Sequence, residues 1–274
     1  MFKIIIMALF IFIGMVGYDS ITDKTQPTTP VQQEQQKISK HEKSAAMALF
    51  TSLLPPKEEW PSPVHKFYLA FNMDEVIDPI RQNPNWTGLD AMSRDIPQAL
   101  IAIEDHAFYN HGAIAVEGIL RATLANINAG EVVQGGSTLT QQFVKNVFLS
   151  HEQSMERKIE EAVLSLMLED NYSKDEILEL YLNTTYFGAG STGIKQASRT
   201  YFGKAPSALT LAEAAVIASL PYAPTGLNPL ENPEGCKKRQ LLVLAAMHKY
   251  GMINQGQLAE ARAEKIRLTN GTIM

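Results

Sequence analysis

Residues 103–112 read IEDHAFYNHG and close a short apolar run, PQALIAI, at positions 97–103. The run predicts a short helix that ends near Glu104. A carboxylate at that end faces the negative pole of the helix dipole and is partly buried, and both effects favour a carboxyl group that takes up a proton. Glu104 is therefore a candidate general base. Without other evidence, an acidic pair such as Glu104 and Asp105 is more often a solvent-exposed helix end than a catalytic site.

A second acidic position lies among positive charges, where residues 157–161 read RKIEE. Apolar residues recur here at helical spacing: Ile159, Ala162, Val163, Leu166 and Met167. They predict one apolar stripe that faces the core. Arg157 and Glu161 then lie opposite this stripe with Lys158 beside them, and Glu160 lies at its flank. We therefore expect Glu161 on the cationic face. The alternative is that Arg157 and Glu161 form an ordinary surface ion pair one helical turn apart, which would stabilise the helix by only a few tenths of a kcal/mol.

Between these acids, residues 135–142 read GGSTLTQQ. The glycine pair permits an unusual turn, and Thr138 with Gln141 has the spacing of a capping box. A helix that begins here has free backbone N–H groups, which can hold a phosphate group. A glycine pair before a helix is usually only a turn, so this segment alone is a weak signal.

Two more segments follow: residues 181–190 read YLNTTYFGAG, and residues 220–224 read LPYAP. The first ends a helix that Ser173 begins and continues into a glycine-rich loop. From their residue type alone, Tyr186 and Phe187 are expected to be core aromatics.

Composition narrows the classes of protein. The chain has 274 residues, is 45% hydrophobic, and contains one cysteine, which excludes an internal disulfide and a cysteine-based metal site. Its net charge of −5 gives no basic face, so no nucleic acid partner is expected.

Capping-box spacings open several amphipathic runs: Ser173 with Glu176, Thr210 with Glu213, and Asn254 with Gln257. Strand patterns are scarce, so we predict a mainly helical domain over 58–268 and a tail over 269–274.

The N-terminal segment, residues 1–18, is apolar after Lys3, as in a signal peptide or a signal anchor. Its apolar run reaches only about 22 Å as a helix, short of a roughly 30 Å hydrocarbon layer, which favours a cleaved signal. The lack of an A-x-A-like cleavage pattern favours an uncleaved anchor instead. Both place the rest of the chain outside the cytoplasm. Residues 19–57 predict a flexible tether with a short apolar helix at 45–54.

In their order and spacing, the five segments resemble the five motifs of the family 51 glycosyltransferases. These are peptidoglycan polymerases found alone or as the first domain of class A penicillin-binding proteins. The resemblance implies a lysozyme-like helical fold of two lobes, a head and a membrane-facing jaw, with a cleft between them. It also implies polymerisation of lipid II into β-1,4 glycan strands, with inversion and release of undecaprenyl pyrophosphate. Moenomycin would then be an inhibitor.

The resemblance also assigns roles. Glu104 is implied as the catalytic base, and Glu161 as the acid that orients the cations. Substrate-binding residues are implied at Ser137, Thr138, Gln141, Gln142, Lys145, Arg157 and Lys158. Structural motif residues are implied at Asp105, Phe108, His111, Gly112, Asn183, Tyr186 and Gly188. Mg²⁺ or Mn²⁺ is left open as a cofactor, with Glu161 as its candidate ligand.

By the same resemblance, the partners are lipid II, the growing glycan strand and the membrane. Transpeptidases and divisome or elongasome proteins are left open. The implied location is the bacterial inner membrane, crossed once, with the catalytic domain on its periplasmic or outer face. The sequence contains no S-x-x-K or K-T-G motif, so no transpeptidase domain is expected unless the chain is a fragment of a longer enzyme.

Two positions depart from the family pattern. Many members carry arginine where this chain has Gln153, and the family commonly has tyrosine where this chain has Leu227. These departures keep open a non-catalytic scaffold of the same fold that binds lipid II or divisome proteins. A lysozyme-like muramidase is a further alternative, because it would also use a glutamate.

Overall fold

The structure is a computed structural model that describes residues 68–115, 117–118, 136–149 and 154–274. The chain divides into two compact units, Met1–Ile77 and Asp78–Met274. The predicted segments 1–18 and 19–57 lie outside the described residues, as do Gly135 and Gln153. Within the described ranges, no helix is both long enough and apolar enough to cross a membrane. The domain boundaries at 58 and 268 stay predictions.

Helices make up the regular structure of the described residues, which confirms the mainly helical fold class. In chain order they are α1 (Asp74–Arg81), α2 (Asp95–Glu104), α3 (Leu139–Phe148), α4 (Met155–Asn171), α5 (Lys174–Thr184), α6 (Ile194–Phe202), α7 (Leu211–Ser219), α8 (Pro233–Lys249) and α9 (Gln255–Ala263). Short 3₁₀ helices lie at Leu89–Ala91, Phe108–Asn110, Pro206–Ala208 and Leu220–Tyr222. Two isolated antiparallel bridges join Tyr186 to Thr192 and Arg267 to Ile273.

Helix starts in this chain are fixed by local side chains. Each predicted capping box is present: Thr138 with Gln141 before α3, Ser173 with Glu176 before α5, Thr210 with Glu213 before α7, and Asn254 with Gln257 before α9. In each pair the two side chains satisfy backbone N–H groups that the first helical turn leaves without partners. Loss of such a cap typically costs about 1 kcal/mol.

The helices of the second unit pack in two groups. In the first, α2 contacts α7 and α8, α7 contacts α8, and α9 contacts α8. Every residue of α7 from position 212 to 219 is buried, so this helix is enclosed on all sides by the rest of the unit. In the second group, α3 contacts α4 and α5. Glu104 is the last residue of α2, as predicted, and Thr138 caps α3.

The apolar stripe predicted for α4 is wrong about which face is buried. Ile159 is 60% exposed and Leu166 is 39% exposed, although both were expected in the core. The buried positions are instead Glu161, Leu164, Ser165 and Leu168. The helix therefore packs with the face that carries Glu161, and this acid can be buried because Lys158 and Arg157 contact its carboxylate.

Candidate active site

A cavity of about 380 Å³ lies beside the end of α2. Its described lining includes Glu104 and Asp105, His111 from the loop that follows, and Ser137 and Thr138 from the start of α3. The acid of the first motif and the helix start of the second therefore share one cavity, although more than thirty residues of sequence separate them.

The Glu104 carboxylate is held from α3. Gln142 donates from Nε2 to Glu104 Oε2 at 3.0 Å. On its other side, the Gln142 Oε1 accepts a hydrogen bond from the Tyr181 hydroxyl at 3.0 Å. Gln142, predicted to bind substrate, therefore contacts the candidate base itself. Tyr181 was not among the predicted site residues, although it is the first residue of the fourth motif, because its contact with Gln142 joins α5 to α3.

Asp105 joins the loop after α2 to the first turn of α3. Its Oδ1 accepts from His111 Nε2 at 2.6 Å, and its Oδ2 accepts from the Leu139 backbone N–H at 3.0 Å. The carboxylate therefore satisfies one of the N–H groups that a helix start leaves without a partner. This supports the structural role predicted for both Asp105 and His111.

The surroundings of His111 favour its protonated form. Its second ring nitrogen, Nδ1, lies 2.6 Å from the Gly112 carbonyl oxygen, which can only accept. Both ring nitrogens face acceptors, which favours the imidazolium form, in which both can donate. Burial lowers the pKa of His111, but the hydrogen bonds to Asp105 and Gly112 and the charge of Asp105 outweigh it, so the pKa is raised overall. Lys174 opposes this rise.

The remaining residues of the first motif differ in what they contribute. Phe108 is fully buried and anchors the loop, with the Lys174 Nζ 4.5 Å from its ring centroid. At Gly112 an added Cβ would meet no atom within 4 Å, so packing among the described residues gives no reason for glycine there.

Thr138 and Gln141 serve mainly to build the start of α3. Thr138 Oγ1 donates to the Ala113 carbonyl at 2.8 Å and accepts from the Gln141 N–H at 3.1 Å. Gln141 Oε1 in turn accepts from the Thr138 N–H at 3.0 Å, and the residue is only 2% exposed. The structure therefore places Gln141 in the cap, in contrast to the substrate contact predicted for it.

A cluster of two cations and one acid lies on α4 beside Ser137. Glu161 is 1% exposed, and its carboxylate contacts Lys158 Nζ and lies 3.8 Å from Arg157 Nη1. Lys158 Nζ also donates to Ser137 Oγ at 3.2 Å, which brings the cluster to the cavity wall. Arg157 Nε is buried and has no hydrogen-bond partner in the described part of the chain. The cluster thus carries excess positive charge and an unused donor.

The third predicted cation, Lys145, is exposed on α3. It follows Gln142 by three residues and therefore lies on the same face of α3, about one turn further along. Because Gln142 contacts Glu104, this face of α3 is the one turned toward the candidate base.

Glu161 is also the residue for which a metal ligand role was left open. Its carboxylate is already paired with two cations, which oppose a bound metal ion. Across the described ranges, no three or more His, Cys, Asp or Glu side chains are grouped closely enough to hold a metal. The residues around Glu161 therefore do not fit the oxygen-rich ligand set of Mg²⁺ or Mn²⁺.

The fourth motif supports the site from outside the cavity. Asn183 accepts from the Thr87 N–H and donates to the Thr87 carbonyl, both at 2.9 Å. Gly188 has φ +87°, and an added Cβ would lie 2.3 Å from the Pro224 carbonyl oxygen, so only glycine fits. Phe187 is fully buried as expected, but Tyr186 is 45% exposed, which corrects its expected place in the core.

Comparisons of the sequence with known proteins point to one family. The model of the transglycosylase family matches residues 73–248. A Cupriavidus necator protein provisionally named a transglycosylase is 41% identical over 194 residues, which cover 71% of this chain and 84% of that protein. Penicillin-binding protein 1A of Neisseria flavescens is 44% identical over 185 residues, covering 68% of this chain. Penicillin-binding protein 2D of Bacillus subtilis is 44% identical over 181 residues, covering 66%. The chain spans 23% and 26% of these two longer proteins.

Proposed function

This chain belongs to the transglycosylase family, and from that premise we propose that it polymerises lipid II into β-1,4 glycan strands of peptidoglycan. The proposal rests most directly on one observation. The carboxylate of Glu104 lines the same cavity as Ser137, whose hydroxyl accepts a hydrogen bond from Lys158 in the cation cluster. A base and an anion site on one cavity suit transfer of a sugar from a pyrophosphate leaving group.

In the proposed reaction, Glu104 removes the proton from the 4-hydroxyl of an acceptor N-acetylglucosamine. That oxygen attacks C1 of the N-acetylmuramic acid on the growing strand. The bond from C1 to the pyrophosphate oxygen breaks, and the α-linked donor becomes a β-1,4 product by inversion. Gln142 already engages Oε2 of Glu104, so we assign Oε1 to the acceptor hydroxyl.

The leaving undecaprenyl pyrophosphate carries negative charge that the site must stabilise. We assign this task to Arg157 and Lys158, which share the single carboxylate of Glu161, and to Lys145 on α3. The unused Arg157 Nε–H is a donor available to a phosphate oxygen. Charge-assisted donors placed where charge develops supply much of the rate enhancement in such reactions.

A lipid-linked substrate also sets where the enzyme works. We propose that the catalytic domain acts at the outer face of the bacterial inner membrane, held there by the N-terminal segment over 1–18. Transpeptidases and divisome or elongasome proteins remain open as partners.

The test is to incubate the purified full chain with lipid II and to separate the products. Polymer and free undecaprenyl pyrophosphate are expected, and digestion of the polymer should yield β-1,4-linked disaccharides. Binding of lipid II without turnover would indicate a scaffold. Release of fragments from finished cell wall, without polymerisation, would indicate a muramidase.

A further inference from the structure

We propose that Tyr181 is a positioning residue for the base of this reaction, acting on Glu104 through the side-chain amide of Gln142. The inference rests on the proposed function, because it concerns the same base. Its basis is a chain of three side chains from three helices: Tyr181 on α5, Gln142 on α3 and Glu104 at the end of α2.

The chemistry of these groups allows one arrangement. A carboxylate oxygen only accepts hydrogen bonds, so the Gln142 amide must turn its NH₂ group toward Glu104. The Gln142 Oε1 then points the other way and needs a donor. The Tyr181 hydroxyl is that donor, at 3.0 Å. The reversed amide would place its oxygen against the carboxylate, where the two would repel each other.

Tyr181 is suited to hold this orientation. It is 1% exposed, so the hydroxyl has no exchange with bulk water as an alternative to Gln142. Burial, followed by the negative charge of Glu104, raises the pKa of Tyr181, with a smaller opposing effect from Thr185. The phenol therefore keeps its proton, and remains a donor, at neutral pH.

The contact of Gln142 with Glu104 joins the two helix groups of the second unit at the reacting carboxylate. Without the Tyr181 hydroxyl, Gln142 Oε1 loses its buried partner and the amide can rotate. The base is still present in that case, but its carboxylate is less well oriented toward the acceptor hydroxyl. We therefore expect the loss to fall on kcat, with little change in KM.

The experiment measures lipid II polymerisation by Tyr181→Phe, Gln142→Leu and the double variant in the full chain. We expect Tyr181→Phe to lower kcat roughly tenfold and to leave KM within about twofold. Because Tyr181 acts through Gln142, adding Tyr181→Phe to Gln142→Leu should cause no further loss. Additive losses in the double variant would overturn the proposal, as would wild-type kcat in Tyr181→Phe.

Tyr201→Phe is the matched control. Tyr201 is also fully buried, and its hydroxyl donates to the Phe187 carbonyl at 2.8 Å, without contact to Glu104. The Tyr201→Phe variant should lose stability to a similar extent as Tyr181→Phe, yet keep the wild-type kcat. An equal kcat loss in both variants would show a general packing effect and refute the relay. If Tyr181→Phe does not fold, Gln142→Leu with unchanged kcat refutes it. Absence of turnover in the wild type would instead refute the proposed function.

Discussion

Two buried glutamates of this protein are each held by cations, but their surroundings differ. Glu213 on α7 is 3% exposed, and Lys204 Nζ contacts both of its oxygens, at 2.7 and 2.9 Å. Its Oε2 also accepts from the Thr210 N–H at 3.0 Å. Glu161 on α4 is equally buried but shares its one carboxylate between two cations.

The difference separates a structural ion pair from the cluster that we propose as an anion site. Around Glu213 one cation meets one acid, and both carboxylate oxygens are satisfied. Around Glu161 there is one more positive charge than negative charge, and Arg157 Nε has no described partner. A buried donor without a partner is costly, and in the function proposed above a phosphate oxygen of the leaving pyrophosphate supplies the missing acceptor.

Among changes to these two clusters, the largest effect is expected from Glu161→Gln, which removes the carboxylate that holds Arg157 and Lys158 in place. Turnover of lipid II should fall about 10²- to 10³-fold, as it does when one preorganised donor is lost from an active site. Glu160→Gln is the matched control on the same turn of α4 and should lose only a few-fold. Equal losses, or the opposite order, would show that the wrong acid has been assigned to the cavity.

Lys145→Ala should have the next largest effect. A charge-assisted contact is worth about 1.5–3 kcal/mol, so KM for lipid II should rise roughly tenfold or more and turnover should slow. Moenomycin affinity should fall in parallel. Lys195→Ala removes a lysine that instead donates to the Pro84 carbonyl, and it should change neither quantity. Wild-type behaviour of Lys145→Ala would contradict the pyrophosphate contact.

Glu213→Gln tests the other half of the comparison. Because this pair is structural, the substitution should cost about 1–3 kcal/mol of unfolding free energy, measured by denaturant titration. Turnover per folded molecule should remain that of the wild type. A large loss of turnover at full folding would mean that Glu213 also acts on the site and that the contrast with Glu161 does not hold.

The smallest effect is expected from His111, and it depends on pH. Its pKa is raised in the folded protein, so the stabilisation is fully present below the unfolded pKa of about 6.5 and is lost as pH rises through the folded value. The unfolding free energy of the wild type minus that of His111→Gln should decrease over this window. A difference that is constant with pH would show that His111 is not an imidazolium.

Features that depend on neighbouring residues in sequence were predictable. A capping box needs only an N-cap and its partner three residues later, so Ser173 with Glu176 and Thr210 with Glu213 could be identified directly. The end of α2 at Glu104 followed from the length of one apolar run. The catalytic role assigned to Glu104 came from the family resemblance, and the Glu104→Gln variant tests it.

Features that depend on tertiary contacts were not predictable. The periodicity of α4 shows two faces, but which face is buried depends on α3, which packs on the side of Glu161 and leaves Ile159 exposed. Acidic side chains are also rarely buried. Glu161 can be buried only because Lys158 and Arg157 contact its carboxylate. Gln142 and Tyr181 each lie in a recognisable motif, but they are 39 positions apart, and neither motif reveals that their side chains are in contact.

The most direct measurement compares lipid II turnover by the wild type and by Glu104→Gln, with folding checked by thermal unfolding of both proteins. The amide keeps the shape of the side chain but cannot remove the acceptor proton. General-base loss typically costs about 10²- to 10⁴-fold in rate, so the variant should fold normally and polymerise at no more than about a hundredth of the wild-type rate. A folded variant that retained more than about a tenth of wild-type turnover would contradict the assignment of Glu104 as the base.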